Sequence, residues 1–139
     1  MPEHAFQPEG REPGVPPIIL VIENDTNNRI LLEKILGLGG YHFVSAANGE
    51  EALNLLKQGQ HVDLVLTDLS MPVMDGFKAT QILRATSGYE DLPIVAVTAL
   101  AMSGDREYAL SLGCNEYLTK PYRHSDLLAV VERLLKTKQ

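Results

Sequence analysis

Residues Leu64 to Gly76 read LVLTDLSMPVMDG. An unbroken apolar run ends in one carboxylate, Asp68. The chain then meets Pro72, which lacks a backbone donor, and Gly76, which loosens it. An apolar run without alternation reads as a strand covered on both faces. Asp68 is therefore expected at the carboxyl end of a buried strand, at the mouth of a loop. In an open α/β sheet that edge is where ligands bind and chemistry occurs. A lone acid there is a candidate nucleophile or metal ligand, and its partners must come from elsewhere in the chain.

Outward from this stretch the pattern alternates. Ile18 to Ile22 is a second continuous apolar run and reads as the first strand. Thr26 to Leu38 has helical spacing, with Leu31, Ile35 and Leu38 on one face and Gly39-Gly40 as the stop. Tyr41 to Ala46 reads as a less buried strand. Asn48 with Glu51 resembles a capping box and opens a helix to about Lys57, striped by Ala52, Leu55 and Leu56. Val62 to Thr67 is the third strand, and Asp75 to Ala85 the third helix, with Asp75 as its expected cap. Pro93 to Val97 is the fourth strand, with proline at its permitted first position. Ser103 to Leu112 is a fourth helix ended by Gly113, Asn115 to Leu118 a fifth strand, and Leu127, Val131 and Leu134 mark the last helix. Crossovers long enough for a helix imply parallel strands with right-handed connections. The fold class is α/β: a flavodoxin-like doubly wound five-stranded sheet, order 2-1-3-4-5, with five helices.

The chain has 139 residues, of which 45% are hydrophobic, so one domain with a real core is expected. Residues 1–17 are proline-rich and poor in large apolar groups, and read as a flexible tail or linker ahead of a domain spanning 18–139. No apolar stretch approaches the roughly 20 residues that span a bilayer. The start lacks the basic-then-apolar order of a signal peptide. A net charge of −6 argues against a nucleic-acid surface and for a bound cation or a basic protein partner. Cys114 is the single cysteine, so no internal disulfide forms and a reducing cytoplasm is the expected setting.

In such a sheet the ends of strands one, three, four and five converge on one edge. They carry Glu23-Asn24-Asp25, Asp68, Thr98-Ala99, and Tyr117 followed by Lys120-Pro121. Acids, a hydroxyl and a lysine at one place suit phosphoryl transfer, where a protein positions groups and neutralises charge. Asp68 can attack phosphorus to form an aspartyl-phosphate. Carboxylate and phosphoryl oxygens repel, so a divalent cation should bridge them, and Mg²⁺ suits few carboxylates, waters and a phosphate. Glu23, Asn24 and Asp68 can hold it, with a carbonyl from the loop after Asp68, at Ser70. Lys120 offers a compact charge to a phosphate oxygen. Thr98 can donate to another oxygen, and the small Ala99 leaves a path for the donor.

With these residues in place, Ile18 to about Leu135 resembles the receiver domain of two-component response regulators. The marks are Glu23-Asn24 at the acidic pair, Asp68 within TDLSMPVMDG, Thr98-Ala99, and Lys120-Pro121. Four separated motifs in order are specific where any one is weak. The closest look is to receivers of hybrid histidine kinases, through Glu23 and Asn28-Arg29. The resemblance implies a phosphohistidine donor on a histidine kinase or histidine phosphotransfer protein. It also implies a downstream protein partner, and a switch in which Thr98 moves inward and Tyr117 follows. It implies no enzyme beyond promotion of its own aspartyl phosphorylation and dephosphorylation. No direct nucleic-acid or membrane partner is expected. One position departs: the second acid of the pair is Asn24, and Asn28-Arg29 puts Asp25 one place too late to replace it. One formal charge is lost, so Mg²⁺ binding should be weaker than in an Asn24→Asp variant.

Plainer roles compete at each position. Asp before a turn ordinarily caps or makes an Asx-turn, and Asp25 is expected to start the first helix. Lys120 alone would be a solvated lysine, but Pro121 argues for a fixed backbone, a cis bond aiming the side chain inward. Tyr117 can be an ordinary edge-strand aromatic. Cys114 is expected as a small buried apolar group. His4, His42, His61 and His124 show no metal spacing. Two rival functions remain. One is a degenerate receiver that binds partners without phosphorylation, favoured by Asn24. The other is a metal-dependent phosphatase, disfavoured because Ser70 stands where a second acid would. No Gly-rich nucleotide loop is present. No output domain fits after Leu135, so a stand-alone receiver or a piece of a larger protein is expected.

Overall fold

The computed structural model describes residues 15–68, 74–98 and 105–137. Five strands alternate with five helices: β1 (Ile18–Ile22), α1 (Thr26–Leu38), β2 (His42–Ala46), α2 (Gly49–Lys57), β3 (Leu64–Asp68), α3 (Met74–Ala85), β4 (Ile94–Thr98), α4 (Asp105–Ser111), β5 (Glu116–Thr119) and α5 (His124–Thr137). The strands form one sheet in the order β2-β1-β3-β4-β5, every neighbouring pair parallel. This is the doubly wound order the apolar runs predict. Among the described residues no helix is long and apolar enough to cross a membrane.

The central strands are covered on both faces. Side chains alternate along each strand, so Ile19 and Val21 pack with Leu64, Leu66, Val95 and Val97 against α1 and α5. Leu20, Ile22, Val65, Ile94 and Ala96 face the other way, onto Ala52 and Leu56 of α2, Leu83 of α3 and Ala109 of α4. Cys114 is buried in that second cluster as a free thiol, as expected of a small apolar group.

Element ends differ from the expected ones by a residue or two, for local reasons. Tyr41 precedes β2 because its amide closes α1 on the Leu36 carbonyl (3.0 Å), with Gly40 left-handed between them at φ 87°. β3 begins at Leu64, not Val62, because Asp63 serves as an anchor: its amide donates to the Ile18 carbonyl (2.7 Å) and its carboxylate accepts the Ile18 amide (2.8 Å). That shift makes Asp68 the last residue of its strand, in register with Val97 of β4. β4 and β5 likewise each run one residue later than expected, ending at Thr98 and Thr119. Asp75 lies inside α3, which starts at Met74, so it is not the helix cap. The expected start of α4 at Ser103, the segment 1–14, Ser70 and Ala99 lie outside the described residues.

The caps of α1 and α2 are those the sequence indicates. Asp25 caps α1, its carboxylate accepting the Asn28 amide at 2.8 Å. Asn48 caps α2 through the Glu51 amide (2.8 Å), while the Glu51 side chain reaches back to the Ala47 amide (3.0 Å). The buried face of α1 is a correction. Leu32, Ile35 and Leu36 point to the sheet, whereas Leu31 is 46% and Leu38 83% exposed. Both triplets have helical spacing, and the sheet surface decides between them.

Candidate functional site

β1, β3, β4 and β5 deliver their last residues to one edge. Glu23 follows β1, and its amide extends the pairing with β2 to the Ala46 carbonyl at 3.0 Å. Asp68 ends β3 and Thr98 ends β4. The Lys120 amide donates to the Thr98 carbonyl at 2.7 Å, which fixes the start of the loop after β5. The Lys120–Pro121 bond is cis. The Lys120 ammonium lies 2.8 Å from the Asp68 carboxylate. Residues 52 positions apart in sequence thus meet at the mouth of the sheet.

Both acids are out of water: Glu23 and Asp68 are each 1% exposed. Such burial of charge requires partners. Asp68 has Lys120. Glu23 has the Asp25 amide on one oxygen at 2.9 Å, while its other oxygen, Oε1, is buried without a hydrogen-bond partner among the described residues. Burial pushes the Glu23 carboxyl up to about 8, and the adjoining Asp68 carboxylate adds to the rise. An unpartnered carboxylate oxygen beside a second carboxylate is a fit for a hard divalent cation.

The remaining expected residues divide. Asn24 follows Glu23 but is exposed, so its neutral amide adds no buried charge. The Asp25 carboxylate is committed to its helix cap and does not replace the missing acid. Among the described residues no group of three His, Cys, Asp or Glu side chains gathers to hold a metal ion, so the site has the two acids Glu23 and Asp68. Thr98 is buried beside the site. Tyr117 is no ordinary edge aromatic: it is buried, on the same face of the sheet as Ala96, with which it pairs in register. By alternation Thr98 shares that face.

Two features escaped the sequence reading. Tyr122, just past Lys120-Pro121, packs on the α1/α5 core, and its phenol is pushed up to about 12 by burial and then by the charges of Asp68 and Glu23. Beside it a groove of about 200 Å³ opens between α1 and the loop after β5, lined by Leu31, Leu32, Ile35, Lys120, Tyr122 and His124 among others. The exposed Leu31 was the available signal, because an apolar helix residue left off the core borders something else.

A doubly wound sheet whose carboxyl edge joins buried acids, a threonine and a lysine is an α/β domain with its polar site where such sheets bind ligands. Residues 19–132 match the family model of the response regulator receiver domain, and the chain belongs to that family. It is 42% identical over 118 residues to a probable transcriptional regulator, ycf27, of Porphyridium aerugineum, covering 85% of this chain and 48% of that protein. It is 36% identical over 120 residues to the sensor histidine kinase CheAY of Helicobacter pylori, covering 86% of this chain and 15% of that protein. The chain thus spans about half the length of the first relative and a small part of the second. Among solved structures, the receiver domain of the sensor histidine kinase PA1611 from Pseudomonas aeruginosa PAO1 matches with a TM-score of 0.78 and 34% identity. The match covers 88% of this chain and 99% of that one, and that structure has a magnesium ion coordinated in its active-site cleft.

Proposed function

We propose that this domain accepts a phosphoryl group onto Asp68 from a phosphohistidine on a histidine kinase or histidine phosphotransfer protein, and then presents an altered surface to a downstream protein. The observation that carries this reading is the 2.8 Å pair of Lys120 with the buried Asp68. A buried carboxylate held beside an ammonium is poised to take up an anionic group, because the same ammonium can serve the oxygens of that group. One Asp68 oxygen forms the bond to phosphorus as the phosphorus–nitrogen bond of the donor breaks, and the departing imidazole keeps the electron pair and takes up a proton. Lys120 moves from balancing the carboxylate to balancing a phosphoryl oxygen. Thr98 donates its hydroxyl to another. Tyr117, already inward, holds the packing of the face it shares with Thr98.

Glu23, through its free oxygen, and Asp68 would hold Mg²⁺, with Asn24 and a Ser70 carbonyl as further oxygen donors. The ion supplies charge neutralisation between carboxylate and phosphoryl oxygens. The domain promotes only its own phosphorylation and dephosphorylation, and its expected setting is cytoplasmic.

Incubation with a small phosphodonor and Mg²⁺, followed by intact-mass measurement, tests the reading. One phosphoryl adduct, sensitive to hydroxylamine, is expected for the wild type and none for Asp68→Asn. An adduct that persists in Asp68→Asn would refute the assignment. A wild type that never gains mass would favour the second reading, a receiver that binds partners without phosphorylation. Asn24 is the residue that keeps that reading in play.

A further inference from the structure

We propose that Tyr122 is the positioning residue for Lys120: its ring, packed on the α1/α5 core, anchors the loop that holds the ammonium against Asp68. The inference rests on Asp68 being the phosphoacceptor. Lys120 does not hold itself in place. Its side chain is a long flexible stem, 24% exposed, and such a stem has many rotamers to lose. Keeping the ammonium 2.8 Å from Asp68 therefore requires that the backbone at Lys120 be fixed.

Backbone bonds fix it from one side only. The Lys120 amide donates to the Thr98 carbonyl at 2.7 Å. Beyond it, Pro121 has no amide to donate. The Arg123 amide reaches only Asp126, in the exposed first turn of α5, at 3.3 Å. Tyr122 lies between these points, and what it contributes is packing. Its ring joins the cluster that holds Leu32 and Ile35 of α1 with Leu127 and Val131 of α5. It also borders the groove that Lys120 lines, so ring and lysine flank one space. The phenol feels the site as well: after burial, the charges of Asp68 and Glu23 push it up to about 12. It is thus uncharged at neutral pH, and its effect on the site is through its bulk. Without the ring the loop loses its inner anchor, and the ammonium loses its fixed origin. A misplacement of about 1 Å in a group that positions reactants can cost as much as about a hundredfold in rate.

The test compares the full chain with Tyr122→Phe, Tyr122→Leu and Tyr122→Ala. Tyr122→Leu keeps apolar bulk without a ring, and it carries the test if thermal melting shows Tyr122→Ala unfolded. Phosphoryl uptake from acetyl phosphate at saturating Mg²⁺ is followed by intact mass, and Mg²⁺ alone is titrated by calorimetry. Tyr122→Phe should take up phosphoryl groups as the wild type does, whereas the two ringless variants should be slower by about tenfold or more. Mg²⁺ affinity should stay the same or tighten, because Glu23 is held by contacts outside the loop and a displaced ammonium no longer repels the cation. General damage to the site would weaken Mg²⁺ binding and phosphoryl uptake together, and that result overturns the proposal. So does uptake at the wild-type rate by the ringless variants, or a Tyr122→Phe as slow as they are. A wild type that gains no phosphoryl group would instead overturn the phosphoacceptor reading itself, and the inference with it.

Discussion

Glu23 is the residue on which the chemistry of the site turns. Its carboxyl is pushed from 4.5 up to about 8, first by burial and then by Asp68. The folded chain therefore holds a proton there that the unfolded chain has released between about pH 4.5 and pH 8. That contribution to stability is present at the acid end of the window and is lost as the pH rises through about 8. The same proton competes with a metal ion, because only the ionised carboxylate is a ligand. Mg²⁺ affinity should accordingly rise from pH 6 to pH 8, by up to about tenfold per pH unit, and level off above. Calorimetry in two buffers of different ionisation enthalpy measures this directly, as about one proton released per ion at pH 7 and almost none at pH 9. Proton release that does not change with pH would contradict a buried, protonated Glu23.

At the scale of elements, α1 separates two roles that neighbouring acids could share. Asp25 follows Glu23 by two residues, yet its carboxylate serves the helix end and its amide serves Glu23. Asp25→Ala should lower stability by about 1 kcal/mol, the usual worth of a helix cap, and leave Mg²⁺ affinity within about twofold. Chemical denaturation and calorimetry read the two effects separately, and a large loss of metal affinity would make Asp25 a ligand after all. The rotation of the same helix is equally testable. Leu32 is buried against the sheet, so Leu32→Ala should destabilise by about 2–5 kcal/mol. Leu38 is on the outside, so Leu38→Ser should stay within about 0.5 kcal/mol. The reverse order would mean that the stripe Leu31, Ile35 and Leu38 faces the core.

For the molecule as a whole, burial is graded across the sheet. Every residue of β3 and β4 is buried, as are four of the five in β1, while the edge strand β2 starts with two exposed residues and β5 has one buried residue in four. Local opening follows few contacts and solvated backbone bonds. Amide hydrogens of β1, β3 and β4 should therefore exchange last, and those of β2 and β5 sooner. Exchange measured by NMR or mass spectrometry checks this, and early loss of β3 would place Asp68 on a mobile rather than a rigid base.

Much of this was legible in the chain itself. Unbroken apolar runs announce strands covered on both faces, and their alternation with helical periods leaves little choice but a parallel sheet. The polar residues that end those runs, Glu23, Asp68, Thr98 and Lys120, name the edge where a site can form. Caps at Asp25 and Asn48 were readable because capping is a contact between residues three apart. What depends on distant parts of the chain was not. Leu31 and Leu32 are interchangeable by period, and only the shape of the sheet beneath α1 turns one inward. The start of β3 follows from Asp63 tying down Ile18, 45 residues away. That Glu23 keeps one oxygen free, that Lys120 reaches Asp68, and that a groove opens beside Tyr122 are consequences of three strands and a helix arriving together. Local sequence specifies which groups each segment brings, since backbone preferences and hydrophobic period are short-range. Distance, burial and charge between those groups arise only when packing sets the segments side by side.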